Sequence, residues 1–146
     1  MILFWKNIGP YGCLCNFSRD PIFEDDILYK TSEHYFQSMK FKYKSKDFYD
    51  VVEASTPHLA AQIGRDRSRP LRKDWEEVKD DIMYKALRLK VEQNPIVKAT
   101  ILSSGDEVIV EDSPIDYYWG WGKDHSGKNI LGKLWMKLRE DLRNGT

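Results

Sequence analysis

Two residues in one short stretch carry side chains suited to acid–base and nucleophilic work, Glu33 and Lys40, with Gln37 between them at the spacing i, i+4 and i+7. On a helix this spacing sets them in a narrow stripe beside Tyr35, Phe36, Met39 and Tyr43, which should pack. Glu33 and Lys40 would then stand two turns apart, roughly 10 Å along the axis, too far for a direct ion pair. They could instead reach one ligand from either end. A carboxyl group can move protons, and an amine relieved of its proton is a nucleophile. In the plain alternative, Glu33 complements the helix N-terminus and Lys40 extends its ammonium to water.

A second candidate is Ser113-Pro114-Ile115-Asp116-Tyr117-Tyr118-Trp119-Gly120-Trp121-Gly122. A carboxylate among aromatic residues suits a pocket wall where a planar base stacks, and glycines such as Gly120 let backbone approach a ligand. An aromatic loop plugged into the core explains the same residues. The third candidate is the basic run Arg65, Arg67, Arg69, Arg72 and Lys73. Guanidinium forks match phosphate oxygens, while Asp66 and Asp74 could equally pair with them in a solvated turn. The three histidines, His34, His58 and His125, lack the spacing of metal ligands, and no metal or other cofactor is expected. Gly-x-Gly-x-x-Gly, phosphate-loop and nucleophile-elbow motifs are missing, so hydride transfer and nucleotide hydrolysis lack support.

These residues need elements to hold them. Residues 2–5 suggest a strand, 9–26 a long irregular loop, and Ile27-Leu28-Tyr29 a second strand. A helix capped by Thr31 or Ser32 is expected to run to about Tyr43. Shorter helices follow over Asp47–Ala54 and from Thr56-Pro57 to Gly64. Asp74-x-x-Glu77 reads as a capping box for the longest helix, about 75 to 93, with Trp75, Val78, Ile82 and Leu89 as its buried stripe. Asn94-Pro95 starts a helix that stops near Gly105, and Val108–Val110 is a strand by its β-branched content. Residues 112–128 form a second long loop. Asn129 can cap a last helix with Leu131, Leu134, Trp135, Leu138 and Leu142 on its apolar face. The class is α+β: mostly helical, with a few short strands.

Composition narrows the partners. The chain has 146 residues, 41% hydrophobic and 13% aromatic, without repeats or linkers, so one domain over 1–146 is expected. Lys+Arg and Asp+Glu both number 23, which disfavours a coat for duplex backbone, since such proteins usually carry a basic excess. Cys13 and Cys15 offer neither a good disulfide nor a zinc site. The apolar start Met1–Trp5 meets Lys6 at once, too short for a signal peptide or a membrane span. A cytoplasmic monomer without a membrane association is the expectation.

Read together, the blocks resemble the NADAR family (NAD- and ADP-ribose-associated), and within it the YbiA-like members. They include Tyr11-Gly12 with Asn16-Phe17-Ser18, Thr31-Ser32-Glu33-His34-Tyr35-Phe36-Gln37 with Lys40-Phe41, and Gly64-Arg65-Asp66-Arg67-Ser68. Pro70-Leu71-Arg72-Lys73, Trp75 and Glu92-Gln93-Asn94 follow, then Val110-Glu111, Asp116, Tyr118-Trp119-Gly120, and Lys128-Asn129 before Leu131-Gly132. The resemblance runs nearly end to end and departs at Cys13-Leu14-Cys15 and Trp121. It implies a YbiA-like fold and an N-glycosidase that acts on ribosylamino-pyrimidine phosphates of early riboflavin synthesis. Other members remove ADP-ribose from the exocyclic amine of guanine in nucleic acid. It also implies that Asn16, Glu33, Lys40, Trp75, Asp116 and Trp119 line the pocket.

Both substrates join ribose C1 to an exocyclic amine, so the sugar ring can open to an imine. That shared chemistry suggests attack by Lys40 on C1, a Schiff base, and loss of the base as a free amine. Phe36, Phe41 and the basic cluster could keep Lys40 partly neutral. Glu33 or Asp116 would move protons, Trp75 or Trp119 would stack on the base, and one or more of Arg65, Arg67 and Arg72 would hold phosphate. Direct attack by carboxylate-activated water is the competing route. A non-catalytic ADP-ribose- or nucleotide-binding module, and a protein-interaction module, remain alternatives.

Overall fold

Local sequence chemistry explains most element starts in the computed structural model, which describes residues 1–145. Thr56 caps its helix by accepting the Leu59 amide, Ser45 does the same for Phe48, and Thr31 for His34. The class is α+β: six helices and four short strands among the described residues. Their contacts group into two compact units, Met1–Ser18 with the chain from Asn94 onward, and Arg19–Gln93.

In the first unit, β1 (Ile2–Phe4) lies parallel to a later strand, Ile109–Glu111, with Ile2 opposite Ile109 and Phe4 opposite Glu111. A 3-10 turn at Gly12–Leu14 follows β1, and Cys13 and Cys15 beside it are free thiols. One helix covers Pro95–Ser103 and another Ile130–Arg143. Gly132 allows the last helix onto the strand, since a Cβ there would stand 2.2 Å from the Ile109 carbonyl oxygen. Trp135 is fully buried and donates from Nε1 to the Leu14 carbonyl.

In the second unit, β2 (Ile22–Glu24) and β3 (Ile27–Tyr29) form an antiparallel hairpin. Residues 9–26 are therefore not one irregular loop. Asp25 and Asp26 both adopt positive φ, the geometry of a tight two-residue turn, which Asp tolerates although Gly is the usual signal. Four helices follow: α1 (Ser32–Ser38), α2 (Lys46–Val52), α3 (Pro57–Arg65) and α4 (Trp75–Gln93). We number the two later helices and the last strand α5, α6 and β4.

Helix α1 is the centre of this unit. It packs against α2, α3 and α4, and every one of its residues is buried, so it has no solvent face. Most of its polar groups find partners inside, Gln37 Oε1 excepted: His34 reaches Thr31 Oγ1 and the Ala54 carbonyl, and Lys90 donates to Ser32. Burial pushes the His34 pKa down, as expected of a neutral structural imidazole. Tyr29, Tyr35, Phe41, Phe48 and Val51 build the surrounding core.

Three expected details differ. The Asp74 carboxylate is occupied by both arms of the Arg72 guanidinium, while Glu77 donates its amide to the Asp74 carbonyl, so the capping box gives way to an ion pair. On α4 the buried stripe is Trp75, Met83, Ala86, Leu87, Lys90 and Val91, with Val78, Ile82 and Leu89 only half-buried. Asn129 takes left-handed geometry at the start of α6 and does not cap it; its side chain accepts from the Glu111 amide and donates to the Ile109 carbonyl.

Candidate active site

Helix α1 ends at Ser38, not near Tyr43, and this moves Lys40 off the helix. Beyond Ser38 the amides of Lys40 and Phe41 bond three residues back, to Gln37 and Ser38, which tightens the last turn. The carbonyls that would continue the ladder are taken elsewhere. Lys40's carbonyl accepts the Arg72 amide at 2.9 Å, and Met39's carbonyl accepts Arg72 Nη1 at 3.3 Å. Lys40 thus projects from a pinned turn, and the expected two-turn helical stripe is corrected accordingly.

The Lys40 side chain runs between aromatic faces. Its Nζ lies 5.7 Å from the Trp75 ring centre and 6.0 Å from that of Phe36, and these two rings meet at 5.0 Å. Trp75 is therefore the second aromatic wall; Phe41, expected in that role, belongs to the hydrophobic core. Nζ donates to the Gly64 carbonyl at 3.4 Å, and Arg67 Nη2 donates to the same oxygen. Burial first, and then repulsion by the Arg67 cation, push the Lys40 pKa down to about 8 from 10.5. Glu33 pulls the other way, and Arg65 and Lys79 add to the repulsion.

Glu33 is buried in the first turn of α1, and Gln37 Nε2 donates to its Oε2 at 3.4 Å. The structure therefore brings Glu33, Lys40, Trp75 and Arg67 into one electrostatic neighbourhood within the second unit, with Arg65 at its edge. The arginines separate by role. Arg69 joins Asp47 and Asp50, and more distantly Asp66, pinning the turn after α3 to α2. Arg72 is committed to Asp74 and to the Met39–Lys40 turn. Arg65 and Arg67 are exposed.

Asn16, Asp116, Trp119 and Gly120 belong to the first unit. Asn16 is buried just after the 3-10 turn. Asp116 Oδ1 accepts the Tyr118 and Trp119 amides at 3.0 and 2.8 Å, so one carboxylate oxygen shapes the aromatic loop. The carbonyls of Tyr117, Tyr118, Trp119 and Gly120 accept the amides of Lys128, Ile130, Leu131 and Asn129. They satisfy the start of α6 in place of a side-chain cap and fix the loop's backbone. The Trp119 ring meets Tyr118 edge-on at 4.8 Å. Gly120 has no room for a Cβ, which would stand 2.8 Å from the Glu111 carbonyl oxygen. Trp121 stacks on His125 and donates to Asp112.

Two residues near Lys40 had no assigned role in the sequence reading: Gln37, the i+4 partner of Glu33, and Gly64. The i,i+4 spacing signals the first. Nothing local signals the second, whose role depends on a side chain from another helix. Among the described residues no cluster of His, Cys, Asp and Glu could hold a metal ion, and no helix is long and apolar enough to cross a membrane.

Comparison with known proteins agrees with this architecture. The NADAR domain family model matches residues 3–143. N-glycosidase YbiA of Escherichia coli (strain K12) is 45% identical over 145 residues, spanning 97% of this chain and 88% of that protein. N-glycosidase Npun_R5314 of Nostoc punctiforme is 42% identical, over 98% of this chain and 93% of its own length. The chloroplastic riboflavin biosynthesis protein PYRR of Zea mays is 35% identical over 97% of this chain, which corresponds to 25% of the maize protein. The solution structure of E. coli YbiA superposes with a TM-score of 0.90 at 44% identity, covering 99% of this chain and 85% of that one.

Proposed function

The chain belongs to the NADAR domain family, and from that premise we propose that it is an N-glycosidase cleaving ribose C1 from an exocyclic amine in a phosphorylated, nucleotide-like substrate. The observation that carries the reading is Lys40, an amine set between two aromatic rings and beside the Arg67 cation, its pKa lowered to about 8. At pH 7 about a tenth of such an amine is neutral, against roughly 0.03% of an ordinary lysine. A surface ion pair has no use for that shift; a nucleophile does.

The reaction follows from the substrate's chemistry. Protonation of the ribose ring oxygen, with Glu33 as the group that exchanges the proton, opens the sugar to an iminium joining C1 to the base nitrogen. Neutral Lys40 Nζ adds to C1, forming the C1–Nζ bond. Nζ passes a proton to the base nitrogen, the bond from C1 to that nitrogen breaks, and the base leaves as a free amine. Water then adds to the C1–Nζ imine, the aldehyde sugar departs, and Lys40 recovers its proton. Trp75 offers a face for the base, and Arg65 and Arg67 are the cations left to meet phosphate. Asn16, Asp116, Trp119 and Gly120 enter through the family resemblance and are tested separately.

The names of the relatives favour a ribosylamino-pyrimidine phosphate as substrate, because PYRR is a riboflavin biosynthesis protein. The deciding experiment is a side-by-side turnover assay of that compound and ADP-ribosyl-guanosine, with borohydride trapping. Turnover with a reduced sugar adduct on Lys40, both abolished in Lys40→Arg with binding retained, is expected. Turnover by wild type without any adduct refutes the imine and leaves water attack. Binding without product from either compound makes the domain a nucleotide reader.

A further inference from the structure

Gly64 lies near the end of α3 in ordinary helical geometry, so it is not there for conformational freedom. It is there for space. A Cβ at this position would stand 2.0 Å from Gln37 Oε1, 2.8 Å from its Cδ and 2.9 Å from its Cβ. The last distance involves the root of the side chain, so rotating the amide away cannot relieve it. The missing side chain lets Gln37 lie flat against α3. Gln37 in turn donates to Glu33, and the Gly64 carbonyl receives both Lys40 and Arg67.

Gln37 supplies an independent sign. It is buried, and its Oε1 has no hydrogen-bond partner. While Glu33 is ionised its carboxylate only accepts, so the amide turns its nitrogen toward Glu33 and leaves that oxygen against Gly64. Packing alone would place an apolar side chain here, since an unmade buried hydrogen bond opposes folding. The arrangement makes sense if holding the Glu33 carboxylate is worth more to the protein than satisfying Oε1.

We propose that Gly64 and Gln37 are a pair of positioning residues that set Glu33 and Lys40 relative to each other, the glycine through its empty side-chain space and its carbonyl, the glutamine through its amide. The inference rests on the reading of Lys40 as the nucleophile. Neither residue is asked to touch substrate.

Two variants of the full chain test it. Gly64→Ala should lower kcat at least about tenfold with KM within about threefold, a pattern of lost transition-state interactions. As the amine loses its anchor and meets water, the acid limb of kcat/KM should move above about 8. Gln37→Met keeps the length and packing, removes the unpartnered oxygen, and cannot donate to Glu33. It should melt at or above the wild-type temperature and still lose about tenfold in kcat, a combination that a structural glutamine would not give. Wild-type turnover in Gln37→Met, or an unmoved pH limb and kcat in a folded Gly64→Ala, overturns the proposal. If Gly64→Ala does not fold, Gln37→Met alone decides. Absence of a borohydride adduct on wild-type Lys40 strikes the nucleophile reading instead, while the Gln37→Met result still reports on Glu33.

Discussion

Lys40→Met is expected to make the fold more stable while ending catalysis. The lysine's pKa is about 8 in the fold and 10.5 when unperturbed. With the folded value the lower one, the unfolded chain binds more protons between those two pH values, and stability rises with pH across that window. Below about 8 both states carry the ammonium, and the whole penalty for holding it against Phe36 and Trp75 is present. At ~1.36 kcal/mol per pH unit the gap sets a ceiling of roughly 3.4 kcal/mol. The side chain is only half-buried, so water screens part of this, and about 1–2 kcal/mol is the usable figure. Methionine fills a similar volume and packs well on aromatic rings. What it gives up is the 3.4 Å bond to the Gly64 carbonyl, an oxygen that Arg67 also occupies, and the cation–π contacts with Trp75 and Phe36. Urea unfolding at pH 7 should therefore show the variant ahead by about 1–2 kcal/mol, with the advantage shrinking toward zero as pH approaches about 10.5. A variant less stable than wild type by the same amount at both pH values would refute the argument.

Two further substitutions separate support from chemistry in the first unit. Asp116→Asn keeps the Oδ1 acceptor for the Tyr118 and Trp119 amides, so its melting should stay within ~0.5 kcal/mol, whereas Asp116→Ala should lose about 1–2 kcal/mol. Loss of turnover in the asparagine variant with intact melting assigns the carboxyl a chemical role; full turnover makes it a loop brace. Asn129→Ala removes both bonds to β4 and leaves at φ 52° a residue that tolerates left-handed geometry less well than asparagine, for a loss of about 2–4 kcal/mol by thermal melting. Asn129→Gly, which relieves the backbone and loses only the bonds, should fall between, and equal melting of all three would remove the clamp from the account.

Elements whose causes are local were legible in the sequence. Helix α3 was readable from Thr56-Pro57, because a cap and a proline act within one turn, and α4 over its full length, although its expected capping box is an ion pair instead. The hairpin at Asp25–Asp26 was hidden inside a polar stretch without glycine, although both strands are short and regular. Helix α1 misled through its own pattern. Periodicity assumes one wet face, and a helix walled by α2, α3 and α4 has none. Its end was invisible for a different reason: the residue that takes the Lys40 carbonyl is Arg72, more than thirty positions away.

The same distant segment explains why the amine sits on a turn. In the sequence, Arg72-Lys73-Asp74-Trp75 looks like a basic connection leading into a capping box. In the fold, Asp74 locks the Arg72 guanidinium, Arg72 fixes the main chain of Met39 and Lys40, and Trp75 presents its face to the Lys40 ammonium. Three residues of this four-residue run thus hold the lysine by its backbone and bound it at its tip. A lysine inside a helix would have its carbonyl committed to the helical ladder, and its position set by α1 alone. On the pinned turn, its position depends on the start of α4 as well, and the wall that desolvates it arrives with the tether. Residue types could nominate Glu33 and Lys40, since acids and amines are rare in buried places. They could not rank five similar basic residues. That ranking comes from partners: Arg69 and Arg72 are tied to carboxylates, while Arg67 shares an acceptor with Lys40 and repels its proton.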